Sequence, residues 1–387
     1  MKGGVRKRGK VWSYYFDIGV IDGKRKKKEK GGFKTKGEAS KALNEAMYDF
    51  ENGGYIESKK ITFNIMSSKW LEEYVKPLRK ITTYNRYSEL AKKYLNTSLG
   101  PLNLNDIKPY HIEDILLKHK NEISGSTLQS IYTLINTIMN RAIKLKLIKE
   151  NPCKFVERPK RDKPDINTLD IDEISKMYAV LNLSNEYDYM FSIALDLTLE
   201  LGLRRGELGG LEWGNIDWKN NLIYIKNNLV YTNGYVVMET PKTEESERSL
   251  YVSDELLAKL KSLKLKQKKY KLSVGNHYIE NYFDDIQYNL IMRWNNGKYI
   301  HPMYYTNKMA KTLKKICINK KIRFHDIRHT NATLLISEGV DFKTVQNRLG
   351  HKDINTTLNI YSHVNKEMQK KATEKIKNIL GGKTVAK

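Results

Sequence analysis

Cysteine is scarce. Cys153 and Cys317 are the only two in 387 residues, too few and too far apart for a disulfide framework or a zinc cluster. The chain is therefore expected in a reducing compartment. No run of about 18 apolar residues occurs, so no membrane-spanning helix is expected. Near the N-terminus the apolar stretch Val11–Ile21 is broken by Ser13 and Asp17 and does not read as a secretory signal. These absences together point to a cytoplasmic protein. Acidic residues are also in deficit, 44 Asp+Glu against 69 Lys+Arg, for a formal net charge of +25. Such a field attracts polyphosphate and is the footprint of a nucleic-acid binder, although ribosomal and membrane-surface proteins share its sign. Of only 8 prolines, three (Pro152, Pro159 and Pro164) fall in residues 152–164, a charged stretch that reads as an extended interdomain linker. No internal repeat or low-complexity tract is evident.

A chain of this length should hold two or three compact units. In residues 1–58, Trp12, Tyr14, Phe16, Ile18 and Val20 alternate as a strand with one buried face, Asp22-Gly23 marks a hairpin turn, and residues 24–30 form a basic strand. Thr35 and Glu38 make a capping box that opens a helix lined by Ala39, Ala42, Leu43, Ala46, Met47 and Phe50, closed by Gly53-Gly54. A small three-stranded sheet plus one helix is expected. Residues 1–60 hold twice as many Lys and Arg as Asp and Glu. Arg25, Lys26, Lys27 and Lys28 are candidate DNA contacts, because a ribbon of two or three strands fits the major groove; the competing reading is a solvated strand that only aids solubility.

Residues 61–151 are helical by periodicity, with Met66, Trp70, Leu71 and Tyr74 first, then residues 87–95, 112–117 and 128–148, punctuated by Gly100-Pro101, Lys108-Pro109 and Gly125. Trp70 and Tyr94 fit core positions better than base-stacking ones. Residues 165–380 form a third, mostly α segment whose first helix starts at the Asp170 and Glu173 capping box. It includes a small antiparallel sheet of residues 222–231, 235–240 and 248–252, with Lys242 on the loop before the last strand. Residues 366–380 read as a short tail helix with Met368, Ala372, Ile376, Ile379 and Leu380 on one side.

Several candidates for chemistry lie in this third segment. Gly202 ends an apolar-periodic helix carrying Met190, Ile193, Leu197 and Leu201, which puts Arg204 on the following turn with Glu207 three residues on. His325 and Arg328 share one face of a helix over residues 325–338. Singly, each is ordinary: Arg204 and Glu207 make a surface ion pair, His325 a half-buried histidine, and Lys242 one exposed lysine among many. As a set they suit phosphodiester chemistry. Attack at phosphorus builds charge on the non-bridging oxygens, which fixed cations must meet if no metal does. An always-charged planar guanidinium presents two parallel donors to two oxygens, which lysine does not.

Gly202-Leu203-Arg204-Arg205-Gly206-Glu207-Leu208, Lys242-Thr243 with Ser246 and Arg248, His325-x-x-Arg328-His329-Thr330, and Leu349-Gly350-His351 followed by Thr356-Thr357 and Tyr361-Ser362-His363 appear in this order over residues 170–365. The set resembles the motifs of the tyrosine recombinase (phage integrase) family, and all of them together are specific where one alone is weak. The resemblance implies a tyrosine recombinase catalytic fold at 165–380, an arm-type DNA-binding domain at 1–58 and a core-binding domain at 61–151, joined to the catalytic domain by the linker 152–164. It implies that Tyr361 attacks the scissile phosphate to give a 3′-phosphotyrosine and a free 5′ hydroxyl, without metal, ATP or cofactor. By the same resemblance Arg204 and Arg328 clamp the phosphate, Lys242 is the general acid, His325 and His351 assist proton transfer, and Glu207 orients an active-site group. A tyrosine hydroxyl with a reference pKa of about 10 needs such cationic surroundings to attack. The implied partners are double-stranded DNA attachment sites and three further copies in a tetramer on DNA, with an excisionase and a host DNA-bending protein as accessories. The resulting expectation is an integrase of a phage or mobile element. Its competitors are a type IB topoisomerase, disfavoured by the basic N-terminal module, and a catalytically silent DNA-binding relative, which should have lost one of these residues.

Overall fold

The computed structural model describes residues 3–21, 24–51, 61–162, 167–239, 248–350, 373, 374 and 376–378. Two units divide the chain, Met1–Lys163 and Pro164–Lys387. The first begins with an antiparallel sheet of β1 (Gly3–Arg8), β2 (Val11–Ile21) and β3 (Lys24–Phe33), in that spatial order, followed by α1 (Lys36–Glu51). Alternation along β2 turns Tyr14 and Phe16 onto Leu43 of α1, where all three are buried. The capping box forms as the residue types dictate: the Glu38 N–H donates to Thr35 Oγ1 at 3.2 Å, and the Glu38 carboxylate accepts from Lys34 N at 3.0 Å.

The helical part of this unit contains α2 (Phe63–Trp70), a π turn at Leu71–Val75, α3 (Lys76–Leu78), α4 (Ile81–Leu90), a second π turn at Ala91–Leu95, α5 (Pro109–Lys118) and α6 (Gly125–Lys144). Trp70 and Tyr94 are core residues, 8% and 7% exposed, packed with Ile112, Ile131 and Ile135. The linker expected at 152–164 is corrected in its first half. Pro152–Phe155 form a 3-10 turn, and Cys153 and Val156 pack into the helical core. The Tyr132 hydroxyl donates to the Cys153 carbonyl at 2.9 Å, and Gln129 Nε2 donates to the Pro159 carbonyl at 2.9 Å. Burying these two apolar side chains and satisfying the backbone outweighs the prolines' preference for an extended chain. Burial also pushes the Cys153 thiol up to about 12, which makes it inert.

The second unit opens with α7 (Ile171–Ala179), whose Asp170 and Glu173 capping box is present, and α8 (Glu186–Leu201). Then come α9 (Arg205–Gly209), β4 (Ile216–Asp217), β5 (Leu222–Ile225), β6 (Asn228–Thr232), β7 (Tyr235–Glu239) and β8 (Arg248–Tyr251). These are followed by α10 (Asp254–Val274), β9 (Asn281–Phe283), β10 (Ile286–Tyr288), α11 (Pro302–Lys315), α12 (Asp326–Ser337) and α13 (Phe342–Leu349). The core gathers Phe191, Leu195 and Leu197 of α8 with Ile223, Leu260, Tyr305 and Ile327, each fully buried side chain stabilising by roughly 1.5–3 kcal/mol.

The single sheet expected over residues 222–252 is also corrected. β8 pairs with β5, Ile223 opposite Leu250, in a sheet of order β4-β5-β8, while β6 and β7 form a separate hairpin. The strand breaks at Lys226 and Asn227 because α9 closes against it: a Cβ on Gly210 would stand 2.7 Å from the Asn227 carbonyl carbon. The β9-β10 hairpin was not foreseen either. Its turn uses Asp284 and Asp285 at φ 48° and 60°, without the glycine that marks such a turn in sequence.

Candidate active site

Four elements converge at the end of α13. α8 stops where Gly202 takes a left-handed conformation, φ 63°. A Cβ there would lie 2.4 Å from Leu349 Cδ2 and 2.8 Å from Asn331 Oδ1, so both the backbone angle and the crowding require glycine. The chain then turns into α9 with Arg204 at its N-cap and Glu207 in its first turn. α12 supplies Arg328 from its first turn, with His325 just before it. α13 is held by its Asp341 cap, which accepts from Thr344 N at 2.9 Å, and by Val345 and Leu349 packed on Ala332 and Ile336.

Arg328 is 1% exposed. Its Nη1 donates to the Gly202 carbonyl at 2.6 Å, and its Nη2 to the Leu349 carbonyl. Arg204 Nη1 donates to Glu207 Oε1 at 2.6 Å and Nη2 to the Gly350 carbonyl at 2.9 Å. Glu207 is buried, and its Oε2 stands 3.9 Å from Arg328 Nη1. A third arginine completes the cluster: Arg248 Nη1 and Nη2 donate to the two Glu207 oxygens at 3.2 and 3.0 Å, and its Nε to the Arg348 carbonyl at 2.8 Å. Burial alone would raise the Glu207 carboxyl, but Arg248, then Arg204 and Arg328, hold it down at about 2. The arginines of this cluster are therefore fixed by hydrogen bonds before any phosphate arrives, the preorganisation that electrostatic catalysis requires.

His325 is exposed, yet the protein crowded behind it, then His329 and Arg328, push its imidazole well below the ordinary range. It is neutral near pH 7 and available as hydrogen-bond donor or acceptor. Of the residues singled out in sequence, the structure brings Arg204, Glu207 and Arg328 together and sets His325 on the same turn as Arg328. Lys242, His351 and Tyr361 lie outside the described residues. Arg248 had no assigned role in sequence. Its place in the motif with Lys242 was the one hint, and its contact with Glu207 bridges 41 positions.

On the N-terminal sheet, alternation splits the basic run. Glu29 pairs across from Tyr15 and Lys27 from Asp17, while Lys28 lies across from Phe16, on the side of α1. Arg25 ion-pairs with Asp17 at 2.6 Å. The face turned away from α1 therefore carries Arg25 and Lys27 but not Lys28. The side chain of Lys26 lies outside the described residues. Arg6 and Arg8, not singled out in sequence, join this face: Arg6 reaches Glu29 and stacks 5.3 Å over Tyr15, and Arg8 Nη2 donates to Glu29 at 3.2 Å. Among the described residues no helix is long and apolar enough to cross a membrane.

Comparisons of fold and sequence identify the family. The Tn1549 transposon integrase in complex with transposon right end DNA superposes with a TM-score of 0.67 at 20% identity, covering 81% of this chain and 99% of that one. A lambda integrase tetramer bound to a Holliday junction gives 0.57 at 17% identity, covering 84% and 90%. These likenesses establish the fold. In sequence, a tyrosine recombinase XerC-like protein of Caldanaerobacter subterraneus subsp. tengcongensis is 28% identical over 369 residues, 89% of this chain and 90% of that protein. The ICEBs1 integrase of Bacillus subtilis is 26% identical over 306 residues, 77% of this chain and 78% of that protein. Fold and relatives define a tyrosine recombinase, an enzyme that cuts and rejoins DNA at specific sites. The chain belongs to the phage integrase family, which residues 167–368 match. Residues 5–47 match an arm DNA-binding domain, and residues 62–120 the N-terminal SAM-like domain of phage integrases.

Proposed function

We propose that Tyr361 is the nucleophile of this recombinase, that Arg204 and Arg328 clamp the scissile phosphate, and that Lys242 protonates the leaving 5′ oxygen. One observation carries the reading: two guanidiniums from distant motifs meet at the end of α13, directly before the segment that holds His351 and Tyr361. Tyr361 Oη forms the new bond to phosphorus as the P–O5′ bond breaks, and its proton passes to a neighbouring base, with neutral His325 as the described candidate and His351 as the other. Rejoining is the reverse attack by a 5′ hydroxyl, so the phosphodiester energy is kept in the phosphotyrosine and no metal, ATP or cofactor is needed.

The DNA substrate is a duplex attachment site of a phage or mobile element in the cytoplasm of a bacterial host, bound by a tetramer of the chain. The basic face of the N-terminal sheet takes a second DNA address. Bridging two addresses calls for bent DNA, which makes a host DNA-bending protein and an excisionase the accessory partners we propose.

A sulfur at the 5′ bridging position tests the division of labour, because a thiolate leaves without a proton. Lys242→Ala should recover cleavage on that substrate. Arg204→Ala and Arg328→Ala should stay inactive. Failure of all three alike removes Lys242 from the acid role.

A further inference from the structure

The last three carbonyls of the α13 turn are each capped by a different arginine: Arg348 by Arg248, Leu349 by Arg328, and Gly350 by Arg204. Cations are favoured at a helix C-terminus, where the carbonyl dipoles point outward. Only two of these arginines belong to the clamp. The third, Arg248, is 8% exposed at its side chain. It lies against Gly350, where an added Cβ would be 3.2 Å from its Nη1, and it spans from the Arg348 carbonyl to both oxygens of Glu207. Glu207 in turn holds Arg204 and faces Arg328.

We propose that Arg248 is a positioning residue for strand cleavage: by fixing Glu207 and the end of α13 in one geometry, it sets where Arg204 and Arg328 present their donors. The inference rests on the clamp reading of those two arginines. A guanidinium is needed because its planar fork reaches two carboxylate oxygens and a carbonyl at once, whereas a lysine ammonium is one compact point of charge. Arg248→Lys keeps the charge and loses the fork. Misplacing reacting groups by about 1 Å costs on the order of 100-fold in rate, while DNA affinity rests on many phosphate contacts spread over the whole protein.

The test uses the full chain and a nicked duplex that traps the covalent product, with cleavage measured in single turnover at saturating protein. Wild type, Arg248→Lys, Glu207→Gln and the double variant are compared, with Arg204→Ala and Arg328→Ala alongside. Arg248→Lys should cleave on the order of 100-fold more slowly, with DNA binding within about threefold of wild type, at a temperature below the variant's own thermal midpoint, which the lost hydrogen bonds lower. Because Arg248 acts through Glu207, the double variant should be no slower than the slower single variant. Cleavage by Arg248→Lys within about threefold of wild type, losses that multiply in the double variant, or a binding loss as large as the cleavage loss would each overturn the proposal. Should Arg248→Lys fail to fold, Glu207→Gln/Arg248→Gln, which removes both charges, is held against Glu207→Gln: equal rates support the proposal, and a further tenfold loss overturns it. Arg204→Ala and Arg328→Ala cleaving like wild type would defeat the clamp reading itself, an outcome distinct from all of these.

Discussion

At the scale of residues, a carboxylate buried among three guanidiniums behaves unlike a surface one. Glu207 is held at about 2, below its ordinary 4.5, so it binds fewer protons in the folded state than in the unfolded one near pH 3. Its stabilising contribution is fully present above about 4.5 and is lost as pH falls through about 2. Denaturant unfolding of wild type and Glu207→Gln should therefore differ at pH 6 by a few kcal/mol, since the variant leaves the buried Arg328 and Arg248 guanidiniums, and the part-exposed Arg204, without their anion. The gap should narrow steadily below pH 4.5. A gap unchanged from pH 6 to pH 2.5 would show that Glu207 is not ionised in the cluster. Much of this site was legible in sequence, because the Arg204 to Glu207 and His325 to Arg328 spacings each fall within one helical turn. Arg248 was not, since its role comes from a contact between residues far apart in the chain. The face carried by Arg6, Arg8 and Tyr15 was hidden for a related reason. A run of four basic residues looks like one patch in sequence, but a strand turns alternate side chains to opposite faces.

At the scale of elements, the junction of α8 and α9 is the tightest point of the site. Gly202→Ala puts a methyl group 2.4 Å from Leu349 Cδ2 in a left-handed backbone, which should cost about 2–3 kcal/mol and push α13 away from the arginines. The check is thermal unfolding together with single-turnover cleavage: both should fall, while Gly214→Ala, where an added Cβ meets nothing, should leave both unchanged. An unaltered midpoint for Gly202→Ala would mean that the junction yields. Capped helices were the readable elements, as at Thr35 and Asp170, because their termini are written in adjacent residue types. The sheet of the second unit differs from the sequence expectation, since Gly206 and Gly209 of α9 and its C-cap Gly210 let the helix pack closely on Asn227, Asn228 and Leu229, a tertiary effect. The linker was misjudged as well, because prolines drew the reading away from Cys153 and Val156, whose burial fixes that stretch.

For the whole molecule, charge and periodicity set a basic N-terminal module apart from the rest of the chain, and the motif resemblance marked the catalytic segment. The matches to an arm domain over 5–47 and to the integrase family over 167–368 fall on either side of the proposed linker. If the first module holds its own DNA address, a chain lacking residues 1–60 should cleave the crossover site normally yet lose binding to distal repeats and most integration. The isolated module's affinity should fall with salt at a log–log slope of about −0.9 per phosphate contacted. Full integration by the truncated chain would remove that second address. The central claim is that Tyr361 cuts DNA covalently without a metal, and its most direct measurement is mass spectrometry of the full-length protein trapped on a nicked suicide duplex in excess chelator. A 3′-phosphotyrosyl adduct on Tyr361, absent from Tyr361→Phe although that variant binds the same duplex, is the predicted result; an adduct on any other residue, or none once chelator is added, would contradict it.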